Sequence, residues 1–224
     1  YYRSILIFFF NIMTIPKLHY ISEGKTPKEH LENIQNACTS GVELVQLCLN
    51  EFSEETILEI AKAAREITSH FQTRLIINTH YKVAKTVKAD GVHLERSDPS
   101  ATIARIHLYT WQMIGGTANT LQDCEALLAD EVDYINLGPF KSGEKTISTA
   151  LGINGYTAIV EALNTTTPIL GFGGIKTEDV KRILTTGITG IGVSKEITKN
   201  FDSIKTFNQL LSASSTNELR HTFE

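Results

Sequence analysis

PILGFGGIKTEDV, residues 168–180, runs from an apolar segment through Gly173-Gly174 straight into a polar stretch that reads as a helix start. Glycine carries no Cβ, so the chain can fold tightly there and a ligand can approach the backbone. The following helix offers unpaired N–H groups and the positive end of its dipole, which suits a phosphate group. An ordinary strand-to-helix turn uses the same residues, and the glycines alone do not separate the two.

The surrounding chain does. Short β-branched runs recur at KLHYIS, VELVQL, RLIIN, DGVHL, WQMIGGT, DYINLG, PILGFGG and TGIGVS. Between them lie stretches of helical periodicity, such as TPKEHLENIQNACTSG, SEETILEIAKAAREITSHF and LQDCEALLAD. The second of these opens with Ser53 as a cap and acidic residues in its first turn, and KTEDVKRILTTG reads from a Thr cap to a stop at Gly187. Eight strands alternating with helices, with no long linker, predict an α/β fold in one domain: a closed (β/α)₈ TIM barrel with a parallel sheet. An open doubly wound sheet would carry its Gly-rich loop after the first strand. Here the glycines follow the seventh and GVS closes the eighth, where barrels often bind phosphate. Gly173, Gly174, Val193 and Ser194 are therefore expected to hold one phosphate group.

Composition excludes several classes. The 224 residues are 42% hydrophobic and 21% charged, with a net charge of −4 and no basic block, so no nucleic-acid footprint is present. Cys38, Cys48 and Cys124 are widely spaced and form neither a disulfide framework nor a metal motif, which fits a reducing cytoplasm. The apolar run Ile5–Phe10 is too short to span a bilayer. Residues 1–12 read as an upstream extension of the frame, with Met13 as the natural start and the barrel over 13–213. Residues 214–224 read as a loosely ordered polar tail. Oligomeric state stays open.

In a barrel, the C-terminal ends of the strands face the active site. Those ends carry Gln46, Asn78-Thr79, His93, Asp98, Thr117, Asn119 and, in the loop after the sixth strand, Lys145. Polar groups ending buried strands must find a partner or a ligand. Each also has a structural reading. Gln46 and Asn78 suit tying down backbone, Asp98 before Pro99 suits a helix cap, and Lys145 suits a solvated loop. His93 between Val92 and Leu94 reads as a hydrogen-bonded structural histidine, and Thr120 is better placed than Thr117 to cap the following helix. No nucleophile–base pair follows from spacing, which therefore reaches no further than a phosphate-binding barrel enzyme.

GVELVQL, RLIIN, ADGVHL, IGGTANTLQDC, DYINLGPF, ALGINGY and GGIKTEDV together resemble the thiamine phosphate synthase family, to which the thiazole tautomerases are related. The resemblance runs from Ile15 to about Ser212. It implies a transferase of thiamine biosynthesis that joins an aminopyrimidine methyl diphosphate to a thiazole phosphate, releasing diphosphate with the help of Mg²⁺. It places Gln46 and Asn78 on the pyrimidine substrate, Asp98 on the metal, and Thr117 and Lys145 on the diphosphate. Gly173 or Gly174, with Val193 and Ser194, falls on the thiazole phosphate. Lys145, Thr117 and Asn78 are the residues it sets nearest the reacting diphosphate.

The departures concentrate at the diphosphate and metal end. Gln-Leu-Arg-x-Lys has become Gln46-Leu47-Cys48-Leu49-Asn50, so both cations are absent. Asn-Asp has become Asn78-Thr79, which removes one Mg²⁺ carboxylate. Glu95 and Arg96 replace Gly and Gln, and the threonines before Lys145 are missing from KSGEK. Three readings follow: a weakened synthase, a metal-free tautomerase lacking its histidine because Asn119 stands in its place, or a non-catalytic binder of thiazole phosphate.

Overall fold

The computed structural model describes residues 15–49, 52–142 and 149–221, with side chains to residue 213. Met13, Asn50, Lys145 and the proposed extension 1–12 lie outside the described residues. The strands are β1 (Leu18–Ile21), β2 (Leu44–Cys48), β3 (Arg74–Asn78), β4 (Gly91–Leu94), β5 (Met113–Ala118), β6 (Tyr134–Leu137), β7 (Ile169–Phe172) and β8 (Gly190–Val193). They pair in parallel in sequence order, and β1 closes on β8. Each falls on a run read from the sequence, with β2 and β5 extending one residue beyond theirs, to Cys48 and Ala118.

The helices are α1 (Pro27–Thr39), α2 (Glu54–His70), α3 (Tyr81–Thr86), α4 (Ala101–His107), α5 (Leu121–Ala129), α6 (Gly152–Leu163), α7 (Val180–Leu184), α8 (Lys195–Lys199) and α9 (Ser203–His221). Ser53 caps α2 by accepting from the Thr56 N–H, and Thr120 caps α5 in a reciprocal capping box with Asp123. Two expectations change. Thr177 is not a cap: it begins a 3₁₀ turn, Thr177–Asp179, that feeds α7, and Lys176 precedes it in extended conformation. The backbone of 214–221 is helical as the end of α9, not a loose tail, because neither Gly nor Pro interrupts the chain from Ser203 to His221.

Helix ends are built alike. After α2, α3 and α5 the chain turns through left-handed residues Gln72 (φ 57°), Lys88 (φ 51°) and Glu131 (φ 54°). The next N–H then reaches back to the helix, from Thr73 to Thr68 O, Ala89 to Ala84 O and Val132 to Leu127 O. Asp90 and Asp133 follow two residues after Lys88 and Glu131. Each accepts from a strand N–H (Leu75 and Ile114) and from an arginine (Arg65 and Arg105), which fastens helix to barrel at the face opposite the mouth.

Register decides what fills the barrel. Leu44, Ile76 and Met113 close its floor, with Ile15 packed beneath. Above them the interior turns polar: His19 packs edge-on against Tyr134, and Tyr134 stacks on His93. Alternate residues along the strands, among them Leu47, Ile77, Ile114 and Ile135, face the helices and form the main apolar core.

Candidate active site

Four polar side chains crown the barrel interior: Gln46 on β2, Asn78 on β3, Thr117 on β5 and Asn136 on β6. Gln46, Asn78 and Asn136 are each at most 2% exposed, and the carbonyl oxygen of each carboxamide is buried without a hydrogen-bond partner. An unpaired buried acceptor costs roughly 1–3 kcal/mol, so three in one wall mark a surface made to meet donors. Asn136 escaped the sequence reading. Its signal was the alternation Tyr134-Ile135-Asn136, which turns it inward beside Thr117, its register partner.

Thr117 is primed by a buried relay. Burial holds the His93 ring at a pKa of about 3, so it is neutral. Its Nδ1 lies 3.2 Å from the Tyr134 hydroxyl and its Nε2 lies 2.8 Å from Thr117 Oγ1. Burial pushes the Tyr134 phenol far up, so it keeps its proton and donates it to Nδ1. Nε2–H then donates to Thr117, which leaves the threonine hydrogen free to point at a ligand. His93 is thus structural, as its apolar flanks predict. His19 below it is also held neutral, at about 3, by burial first and by His93 second, with the Pro16 carbonyl pulling weakly the other way.

The acidic side of the mouth lies between β3 and β4. Asn78 Nδ2 donates to Glu95 Oε1 at 3.3 Å and to Cys48 Sγ at 3.4 Å. Asp98 Oδ2 accepts the Glu95 N–H at 2.7 Å, which closes a turn; it does not cap α4, which is preceded by Ser100. The Asp98 pKa is raised, chiefly by burial and further by the nearby Glu95 charge, while the Glu95 N–H, His80 and Thr79 pull it down. Among the described residues no group of three or more His, Cys, Asp or Glu is arranged to hold a metal by itself.

Arg96 is engaged in an ion pair. It pairs with Asp123 at 3.1 Å, on the α5 cap. Asn119 donates its side-chain N–H to Gly138 O, so it ties β5 to the following turn and offers no base.

After β7 the chain turns through Gly173 and Gly174, the pair expected to face a phosphate, at φ 93° and 67°, conformations that favour glycine. A Cβ on Gly173 would lie 2.6 Å from Pro139 Cβ, and one on Gly174 would lie 3.1 Å from Lys141 Cβ. Lys141 donates its N–H to Gly173 O, and its ammonium pairs with Asp179 at 2.6 Å. On β8's side, Ser194 Oγ donates to Glu23 Oε2 at 3.4 Å, which sets an unforeseen carboxylate beside the cradle.

The family model for thiamine monophosphate synthase matches residues 18–197, a span that includes every strand and all these mouth residues. The chain belongs to that family. A thiamine-phosphate synthase of Flavobacterium psychrophilum is 36% identical over 199 residues, covering 87% of this chain and 97% of that protein. Its counterpart in Bacteroides fragilis is 32% identical over 199 residues, covering 87% and 98%. A solved thiamine phosphate pyrophosphorylase of Pyrococcus furiosus superposes with a TM-score of 0.76 at 24% identity, over 87% of this chain and 96% of that one, which shows the shared fold.

Proposed function

We propose that the chain joins an aminopyrimidine methyl diphosphate to a thiazole phosphate and releases diphosphate, as a transferase of thiamine biosynthesis. The observation that carries this reading is the wall of unpaired carboxamide oxygens at Gln46, Asn78 and Asn136. Of the two substrates only the aminopyrimidine bears N–H donors, and it is the one such a wall would orient. The glycine cradle across the mouth suits the phosphate of the thiazole.

In the reaction, the bond between the pyrimidine methylene carbon and the diphosphate oxygen breaks, its electron pair leaving with the oxygen. The lone pair of the thiazole nitrogen then forms the new C–N bond. Thr117 donates its free hydroxyl hydrogen to the departing diphosphate, where negative charge grows. The buried carboxamides hold the ring so that the nitrogen is already in line when the cation forms, and they keep water out. Lys145, in the loop after β6, would supply the diphosphate cation.

Mg²⁺ fits the donor set. Its usual protein share is one or two carboxylates, with substrate phosphates and water completing the shell. Asp98 and Glu95 would hold it, Glu95 supplying the carboxylate that Thr79 lacks, and a cation there would relieve the repulsion that raises the Asp98 pKa. When bound, the ion neutralises charge on the diphosphate oxygens.

The tautomerase reading loses ground because Asn119 is committed to Gly138 O. The test is direct: both substrates with Mg²⁺, following diphosphate and thiamine phosphate together. Equimolar formation of the two supports the proposal. Tight thiazole phosphate binding without turnover would leave a binder instead.

A further inference from the structure

Every large apolar side chain that stands exposed among the described residues comes from one stretch of α4 and the turn after it. Ile103 is 47% exposed, Ile106 78%, Tyr109 38% and Trp111 46%. Ile103 and Ile106, three apart, share a helix face. Tyr109 and Trp111 stack with centroids 5.6 Å apart and planes within 5°, and Lys85 covers Tyr109 from 5.5 Å. Scattered apolar residues on a surface mean little, but four within nine residues of one helix and its following turn, Tyr and Trp among them, have the composition of an interface core.

The flanks of the patch say what covers it. In the ring of helices α4 lies between α3 and α5; Thr102 bonds Asp130 and Arg105 bonds Glu131 O on the α5 side. The α3 flank is basic, with Lys82, Lys85 and Lys88 exposed, and the α5 flank is acidic, with Glu125 and Glu131 exposed. Lys88 and Glu131 hold equivalent places. Each is the left-handed residue ending its helix, and each stands two residues before the aspartate that pins the next strand. They therefore lie at the same height on the barrel, one helix to either side of α4, with opposite charge.

We propose that this face joins two copies of the chain across a twofold axis running parallel to α4. Such an axis lays patch on patch and sets α3 of one copy against α5 of the other, so that Lys88 meets the second copy's Glu131 twice over. A twofold axis lying across α4 would instead set the lysines of α3 against one another, and like charges disfavour it. The contact lies outside the barrel and away from the mouth, so it is independent of the chemistry there.

The chain's single tryptophan, Trp111, reports on the contact without any mutation. Sedimentation velocity of the full chain at about 50 μM should show a dimer, and dilution should dissociate it with a red shift of tryptophan emission. Ile106→Glu should weaken the dimer by roughly 100-fold while thermal stability and activity stay unchanged. Should that variant misfold, the dilution experiment on the unmodified chain still decides. Lys88→Glu and Glu131→Lys should each weaken association, and the double variant should recover it, because both copies then carry the reversed pair. A monomer at all concentrations, a dimer indifferent to Ile106→Glu, or a double variant weaker than either single one would each overturn the proposal.

Discussion

Glu95 Oε1 accepts a hydrogen bond from Asn78 Nδ2 across the ends of β3 and β4, at 3.3 Å. This brings the carboxylate of Glu95, a departure from the family pattern, close to Thr79, which has none. It also sets two carboxylates, Glu95 and Asp98, close enough for one to raise the pKa of the other. Under the metal reading proposed above, the second carboxylate comes from Glu95, after β4, rather than from position 79.

Exchanging the two positions tests this. Thr79→Asp/Glu95→Gly should keep Mg²⁺-dependent turnover near that of the unmodified protein, whereas Glu95→Gly alone should lose it by at least roughly tenfold. Thr79→Asp alone crowds three carboxylates and should raise the Asp98 pKa further, measurable by NMR titration without substrate. An Asp98 pKa indifferent to Glu95→Gln would remove Glu95 from the metal site.

Thr117→Val keeps the shape of the side chain but deletes the donor that His93 orients. A donor at developing charge is commonly worth about 3 kcal/mol, so kcat should fall by roughly 100-fold with thiazole phosphate affinity unchanged. Tyr134→Phe removes only the bond that fixes the His93 tautomer and should cost less. Steady-state kinetics of the two variants, ranked the other way, would contradict the relay.

Asn136→Leu should act in opposite directions on stability and function. It removes a buried acceptor without a partner, and this should stabilise the fold by about 1 kcal/mol in urea unfolding. The same change should raise the KM for the aminopyrimidine substrate while the KM for thiazole phosphate holds. A parallel rise in both constants would mean that Asn136 only shapes the mouth.

Two neutral histidines make the barrel sensitive to acid. His19 and His93 are held at about 3 when folded, against an ordinary 6.5. Their pKa values are depressed by folding, so the unfolded chain takes up protons first and stability is lost as pH falls below 6.5. At pH 5 each costs about 2 kcal/mol, up to about 4 kcal/mol together. Asp98, with its pKa raised, works in the opposite sense and only at lower pH. Urea midpoints should drop between pH 7.5 and 5, and His93→Gln should flatten the drop by about half.

At the cradle, Glu23→Gln removes a carboxylate that holds Ser194 and repels an anion. Thiazole phosphate affinity by calorimetry should rise several-fold, most clearly at low salt, because both charges lie partly in solvent. Gly174→Asp should abolish the same binding, since it puts a carboxylate into the space beside Lys141. Calorimetry that finds Gly174→Asp as tight as the unmodified chain would displace the phosphate from this loop.

The strand order, the barrel and the glycine turn after β7 were legible in the linear chain, because each depends on local properties. A period of two residues makes a strand, Ser53 and Thr120 cap helices through their own next turn, and positive φ calls for glycine at 173 and 174. What a side chain at the mouth is bonded to depends on residues far off in sequence that only barrel closure and register bring near. Arg96 finds its partner only because α5 sets Asp123 beside it, and Asn119 only because the turn after β6 brings Gly138 O within reach of its N–H. Glu95 acquired a partner when β3 delivered Asn78, β6 turned Asn136 inward, and burial keeps the His93 ring neutral. Periodicity is a property of neighbours along the chain, whereas desolvation and hydrogen-bond partnership are properties of neighbours across it.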